Sequence, residues 1–471
     1  MKAIRRRARR LIPLICAMFL LLAGYGAYTH LAYGGRWFSI SSNAYARQQR
    51  RNVTAGTIYD RNGTVLAETV DGARTYQQDE TARRSVVHVL GDEASNVANG
   101  VESFMSYYLY GFDMSFPERV RLFLSGDRRV GDDITITVDA GLSAMIARQF
   151  PAGKKGAVVV MNYRTGEILA EESFPNFDPA AVTEKTKTDS GKPFYNRATQ
   201  GLYAPGSTFK IVTAAAALER IDNILNKTYS CTGRLLVGGS LITDAGSDLT
   251  REVYVHHDTI GIERAFQVSC NNAFAQIALE LGDEALKREA DAAGFDYNFL
   301  FRDLVVENSR YPDTNRTERE VAMTGIGQSA LQVTPMHMCL IAGAVANRGV
   351  MMEPRLLLKA VSAIGMDKAS FTAARFRQAF REDTAEVLRQ YMYNVVQKGT
   401  GTAAQVSGHR ICGKTGSAEI DGQENTNAWF VGFIDEESAP YCIAVVCEDS
   451  GGGGAVAAPI AGAVFRYLLG Q

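Results

Sequence analysis

One serine in this chain stands three residues before a lysine, in the run Ser207-Thr208-Phe209-Lys210. Residues three apart share a helix face, so the Ser207 hydroxyl and the Lys210 amine can meet. A serine hydroxyl becomes a useful nucleophile only when a nearby base removes its proton. Lysine is that base only when burial or a neighbouring cation lowers its pKa. Pro205-Gly206 ends an extended segment and lets Ser207 open the apolar helix expected to run to Ala217. Free N–H groups at such a helix start can hold an oxyanion. The competing reading is an N-capping serine with a surface lysine, and the four-residue pattern alone does not decide between them.

Two further triplets decide it. Lys414-Thr415-Gly416 lies on an expected strand, where lysine and threonine can hold a carboxylate and glycine admits a ligand backbone. Ser269-Cys270-Asn271 falls in the middle of an expected helical stretch, Thr259 to Leu281, and offers a hydroxyl to relay a proton and an amide to grip a substrate. Ser41-Ser42-Asn43 has the same form but sits beside the membrane segment and reads as linker. Taken in order, Ser-x-x-Lys, Ser-x-Asn and Lys-Thr-Gly resemble the active-site set of penicillin-binding proteins and serine β-lactamases.

The elements around these residues have the period of an α+β domain. Strands are expected at Ala157–Met161, Glu167–Ser173, His409–Ala418, Ala428–Ile434 and Tyr441–Val446. Helices are expected at Met336–Asn347 and Ala457–Leu469, with Gly451–Gly454 as the loop before the last. Strands at both ends of a helical middle imply one sheet closed by the first and last strands. Upstream, Asp60-Arg61-Asn62-Gly63 between two β-prone runs signals a hairpin, Ile134–Val138 a strand and Ala140–Phe150 a short helix.

Six basic residues crowd the first ten positions, and no charge follows from Leu11 to Gly35. That length suffices to cross a bilayer, and the basic flank places the N-terminus in the cytoplasm and the body outside. A cleaved signal peptide is the rival, weakened by the length of the run and the lack of a small-x-small site. The expected order is a basic tail (residues 1–10), a transmembrane helix (11–33), a polar juxtamembrane stretch (Asn43–Asn52) inside a small mixed pedestal (36–150), and the catalytic unit (151–471).

Of 471 residues, 46% are hydrophobic and 21% charged, with a net charge of -1, so the chain is globular and carries no global pull toward nucleic acid. Seven cysteines show no Cys-x-x-Cys pairing, which argues against a zinc site; Cys16 lies in the membrane segment and the other six are expected as buried free thiols. Cys442 and Cys447 lie on one strand at odd spacing and face opposite sides.

The resemblance extends beyond the triplets. Asn196-Arg197-Ala198 with Tyr203 to Lys210, Gly56 to Gly63, Phe174 to Pro179, Gly399 to Ala403 and Trp429 to Phe433 are similar to segments of class B penicillin-binding proteins, of the short elongation or sporulation type. Two positions depart: the usual Gly-Gln-Gly segment is Gly327-Gln328-Ser329, and the threonine after Lys-Thr-Gly is Ser417. The resemblance implies an antiparallel sheet with helices on both faces and a helical subdomain. It implies a peptidoglycan DD-transpeptidase in which Ser207 attacks the D-Ala-D-Ala unit of a stem peptide and β-lactams acylate the same serine. Lys210 is then the base and Ser269 the proton relay. Asn271 binds the substrate amide, Lys414 and Thr415 hold the terminal carboxylate, Gly416 and Ser417 complete the substrate-binding strand, and the Ser207 and Ser417 N–H groups form the oxyanion hole. No metal or organic cofactor is implied. The implied partner is a polytopic lipid II glycosyltransferase of the shape, elongation, division and sporulation family. A β-lactamase, a D,D-carboxypeptidase and a membrane β-lactam sensor share the motifs. The retained anchor, the flanking segments and the single apolar span respectively argue against them.

Overall fold

The computed structural model describes residues 2–38, 53–112, 114–248, 250–313, 316–419 and 425–471, and in the first helix the side chains of residues 11–29. Asn43–Asn52 and Ser41-Ser42-Asn43 lie outside the described residues. The first helix, Lys2–Phe38, contains a 19-residue stretch, Leu11–Thr29, of mean hydropathy 2.0 that buries none of its surface in the protein. It is long and apolar enough to cross a bilayer.

The expected hairpin is present. Strand Ile58–Tyr59 pairs antiparallel with Val65–Val70, and Gly63 takes the left-handed conformation in the turn. The Asp60 carboxylate accepts from the backbone N–H groups of Asn62 (2.8 Å) and Thr64 (2.7 Å), the local bond that favours aspartate at a turn start. These strands belong to a six-stranded sheet that also takes Asp133–Ile136 and, from far downstream, Leu357–Val361 and Asp367–Ser370. A sheet drawing on both sides of residue 150 means that the two units are interleaved along the chain.

The second sheet has five antiparallel strands: β1 (Gly156–Asn162), β2 (Ile168–Phe174), β3 (Ile411–Ala418), β4 (Asn427–Ile434) and β5 (Tyr441–Cys447), in the order β3-β4-β5-β1-β2. The first and last strands of the unit thus close one sheet, as expected. Both faces are covered, which is why the strands read as continuous apolar runs instead of alternating. On one face Val158, Val160, Ile443 and Val445 pack with α1 (Ala140–Gln149) and the C-terminal helix Ala457–Leu468. Helix α1, placed by sequence in the pedestal, therefore belongs to the core of this sheet. On the other face Val159, Met161, Ala444 and Val446 pack with helix Pro335–Ala346, every residue of which is buried. Cys442 and Cys447 fall in these two opposite cores, as the strand period requires.

Two expected helices are corrected. Ser207 does not begin an α-helix: Gly206–Phe209 forms a 3-10 turn and α2 runs from Lys210 to Arg220. The stretch from Thr259 to Leu281 is not one helix. A short strand, Asp258–Ile260, leads into α3 (Ile262–Val268), which stops at Ser269, and α4 (Asn271–Leu281) starts afresh. Ser269 closes α3 in the left-handed conformation (φ 61°, ψ 36°). The Cys270 N–H donates to Ala265 O and the Ser269 N–H to Phe266 O, the paired closure of a Schellman ending. Holding a serine where glycine is usual costs about 1 kcal/mol.

Candidate active site

The nucleophile turn is wedged against β3. Gly206 has φ +54°, and a Cβ there would lie 2.8 Å from Ser417 O, so only glycine lets the turn approach the strand this closely. Three bonds fix it: Gly206 N–H to Gly327 O (2.9 Å), Trp429 Nε1–H to Ala204 O (3.1 Å) and the Thr208 hydroxyl to Pro205 O (2.7 Å). Upstream, Arg197 Nε–H and the Tyr203 hydroxyl both donate to Glu448 Oε1 at 2.8 Å, tying the approach to the turn to the end of β5.

Lys210, one residue into α2, is completely buried. Its Nζ donates to Ser269 O (2.7 Å), Asn271 Oδ1 (2.7 Å) and Ser269 Oγ (3.4 Å). Lys414, on β3 and equally buried, donates to Ser269 Oγ (2.8 Å) and to Thr415 O (2.9 Å). The three motifs therefore meet around one hydroxyl. The break at Ser269 makes this geometry: in a continuous helix the Ser269 carbonyl would bond along the helix instead of to Lys210. The sequence expectation that Lys210 meets Ser207 directly takes a different form, since none of the amine's hydrogen bonds goes to Ser207 Oγ.

Two buried amines on one hydroxyl oxygen cannot both hold a proton cheaply. Burial lowers Lys210 from the usual lysine range to about 8, with Cys270 and Asp244 acting in the opposite sense. Burial, and then the charge of Lys210, holds Lys414 well below its usual value. Both amines are thus held below the usual lysine range, burial being the first cause for each.

Thr415, Gly416 and Ser417 line β3 beside Lys414, and Asn271 opens α4. Thr415 exchanges a hydroxyl hydrogen bond with Thr400, a residue sequence reasoning had only as part of a segment resemblance. A Cβ on Gly416 would press on Thr208 Cγ2 at 3.0 Å and Pro205 O at 3.1 Å. The Ser417 hydroxyl accepts from the Gly453 N–H at 3.3 Å. Asn271 donates one amide N–H to Thr243 O (2.8 Å), and its own backbone N–H donates to Asp244 Oδ1. Asp244 was missed, since nothing in its sequence neighbourhood marks it. It sits with Cys231, His257 and Cys270 in a cluster whose ligand atoms lie within 4.8 Å of one another. The cysteines are the buried free thiols expected from sequence, Cys16 apart, but their spacing gave no sign of this grouping.

Gly327 supports the turn that presents Ser207, its carbonyl accepting from the Gly206 N–H. It has φ +85°, and a Cβ there would stand 1.8 Å from Gly206 O. Ser329, where the resembled family has glycine, keeps a left-handed φ of 71°. Gly327→Ala is expected to displace the turn, slow β-lactam acylation by about 10²-fold and lower the melting temperature. Wild-type acylation in that variant would mean the turn is positioned by other contacts.

A family model described as the penicillin binding protein transpeptidase domain matches residues 156–466. The peptidoglycan D,D-transpeptidase PbpA of Mycolicibacterium smegmatis is 30% identical over 457 residues, 90% of each chain. The stage V sporulation protein D of Bacillus subtilis is 30% identical over 363 residues, 72% of this chain and 54% of that one. Among solved structures, penicillin-binding protein A from M. tuberculosis in a ceftriaxone acyl-enzyme complex matches with a TM-score of 0.80 at 26% identity, over 90% of this chain and all of that one. The D,D-transpeptidase domain of a peptidoglycan glycosyltransferase from Eggerthella lenta matches with a TM-score of 0.77 at 29% identity, over 89% of this chain and 99% of that one. With the model spanning well over half of the sequence, and all three motif triplets inside its bounds, the chain belongs to the penicillin-binding protein transpeptidase family.

Proposed function

We propose that the protein is a membrane-anchored peptidoglycan D,D-transpeptidase that works through an acyl-enzyme on Ser207. The observation that carries this reading is the convergence of two buried lysine amines on Ser269 Oγ, beside the turn that presents Ser207. Lys210 in its neutral form accepts the Ser207 proton as the oxygen attacks the carbonyl between the two terminal D-alanines. The N–H groups of Ser207 and Ser417 hold the oxyanion. Lys414 and Thr415 bind the terminal carboxylate, Gly416 lets the substrate backbone lie along the strand, and a second N–H of the Asn271 amide meets the substrate amide. The proton reaches the leaving D-alanine nitrogen through Ser269. The amine of a neighbouring stem peptide then attacks the acyl-enzyme, and the same groups return the proton to Ser207.

The apolar N-terminal helix supports attachment as a single-pass anchor, and the basic residues before it favour a cytoplasmic N-terminus with the catalytic unit outside. A crosslinking enzyme needs nascent glycan, and the partner that fits is a polytopic lipid II glycosyltransferase. PbpA of M. tuberculosis is seen as acyl-enzymes with ceftriaxone, imipenem and penicillin G, which favours the same inhibitors here.

The test supplies the full-length chain in detergent with glycan polymerised from lipid II. D-Alanine release with formation of crosslinked stem-peptide dimers, both blocked by penicillin G, is the expected result. Release of D-alanine with water as the sole acceptor would replace the assignment with a hydrolase.

A further inference from the structure

The donor cluster beside Asn271 has the dimensions of a closed four-ligand metal site. Cys231 Sγ lies 3.0 Å from Asp244 Oδ2 and 3.4 Å from His257 Nδ1. Cys270 Sγ lies 3.4 Å from Cys231 Sγ and 3.4 Å from Asp244 Oδ2. His257 Nδ1 lies 3.3 Å from Asp244 Oδ2. Ligands around a tetrahedral zinc ion at ordinary Zn–S, Zn–N and Zn–O bond lengths stand about 3.3–3.8 Å apart. Five of the six donor pairs lie within about half an ångström of these separations, and the sixth, Cys270 Sγ to His257 Nδ1, is no longer than 4.8 Å. Two thiolates, an imidazole and a carboxylate suit zinc; hard cations such as Mg²⁺ and Ca²⁺ take oxygen ligands instead.

The four donors come from four short elements. Cys231 ends strand Tyr229–Cys231, and His257 directly precedes its antiparallel partner Asp258–Ile260. Asp244 follows strand Ser240–Thr243, and Cys270 caps α4. The segment between Cys231 and His257 buries little apolar surface of its own: Leu236, Leu241, Val253 and Val255 are all exposed. A small excursion of this kind gains stability from a metal staple.

We propose that Cys231, Asp244, His257 and Cys270 bind one zinc ion, which positions the Ser269–Asn271 turn for the reaction at Ser207. Cys270 is the residue between Ser269 and Asn271. Asp244 faces the thiols with Oδ2 while its Oδ1 accepts from the backbone N–H groups of Asn271 and Asn272. A metal held there fixes from behind the turn whose front holds Lys210 and Lys414. Binding converts two thiols to thiolates and releases their two protons to solvent. The four residues touch no reacting group, so their role is positioning.

The test uses the full-length chain purified in detergent without chelator. Elemental mass spectrometry should find one zinc per chain, and exchange into cobalt(II) should give tetrahedral ligand-field bands with a thiolate charge-transfer band. Cys231→Ser and His257→Ala should each reduce zinc to background. Chelation should slow acylation of Ser207 by penicillin at least about tenfold, and added zinc should restore it. Reduced protein that takes up neither zinc nor cobalt, or a Cys231–Cys270 disulfide in the protein as isolated, would overturn the site. Stoichiometric zinc whose removal leaves acylation unchanged would overturn the positioning role. The metal and cobalt readings do not depend on the transpeptidase assignment and stand whether or not that assignment holds.

Discussion

Ser207→Ala is expected to abolish covalent labelling by β-lactams, with the acylation rate constant falling by about 10⁴-fold or more. The size follows from the absence of a substitute. The Thr208 hydroxyl donates to Pro205 O, and Ser269 Oγ already lies within hydrogen-bond distance of both lysine amines. Thr415 is engaged with Thr400, and Ser417 with the Gly453 N–H. The fold should survive. Bonds from Gly206, Thr208 and Trp429 hold the turn, and among the described residues none involves Ser207 Oγ. Intact-mass spectrometry of the wild type after penicillin should show one adduct, on the peptide bearing Ser207, and the alanine variant none at an unchanged melting temperature. An adduct forming on the variant at the wild-type rate would move the nucleophile elsewhere.

What could be read from the sequence was set by locality. Ser207 to Lys210 and Lys414 to Ser417 each lie within one turn or one strand, so residue type and spacing carried their chemistry. The hairpin at Asp60–Gly63 was legible for the same reason, since the Asp60 carboxylate makes its bonds within four residues. The buried strands were legible because both faces of the sheet are covered, which writes continuous apolar runs into the sequence. The break at Ser269 was not legible. Helical periodicity continues on both sides of it, and no glycine or proline marks it, because a serine holds the left-handed position. The recruitment of residues 357–370 into the N-terminal sheet was likewise hidden, since register between distant strands leaves no local signature. The cluster of Cys231, Asp244, His257 and Cys270 escaped a spacing rule built on ligand pairs within a single loop, because each donor here sits on a different element.

The break that sequence missed is also what makes the lysines a coupled pair. By ending α3, the Schellman closure turns the Ser269 carbonyl toward Lys210 and its hydroxyl toward Lys414. Lys210 gains two strong acceptors, Ser269 O and Asn271 Oδ1, which favour its charged form. Lys414 has a hydroxyl and one carbonyl and faces the Lys210 charge. The free enzyme at neutral pH therefore keeps one proton between the two amines, chiefly on Lys210. In the proposed mechanism, a substrate carboxylate arriving at Lys414 favours a proton there, and the resulting repulsion acts on Lys210 when it is to serve as the base.

The pH profile of acylation is expected to carry this arrangement. If neutral Lys210 is the base, the second-order rate constant rises about tenfold per pH unit on the acid side. It levels off above the pKa of about 8 that burial imposes on the free enzyme. The stability change runs the same way. The folded-state pKa lies below the unfolded value, so between about pH 8 and 10.5 the unfolded chain binds more protons at this position than the folded one. The cost of burying a charged Lys210 is thus full below pH 8 and vanishes as pH rises through that window. Lys210→Arg keeps a charge that cannot be surrendered near neutrality. It should reduce acylation by about 10³-fold or more and erase the limb near pH 8, while penicillin still binds without reacting. Lys414→Ala should leave the limb near pH 8 in place, because the proton of the free enzyme sits chiefly on Lys210, while losing the carboxylate contact should weaken penicillin binding. A profile that is flat from about pH 6 to 9 in the wild type, or an arginine variant that acylates at the wild-type rate, would assign the base to another group.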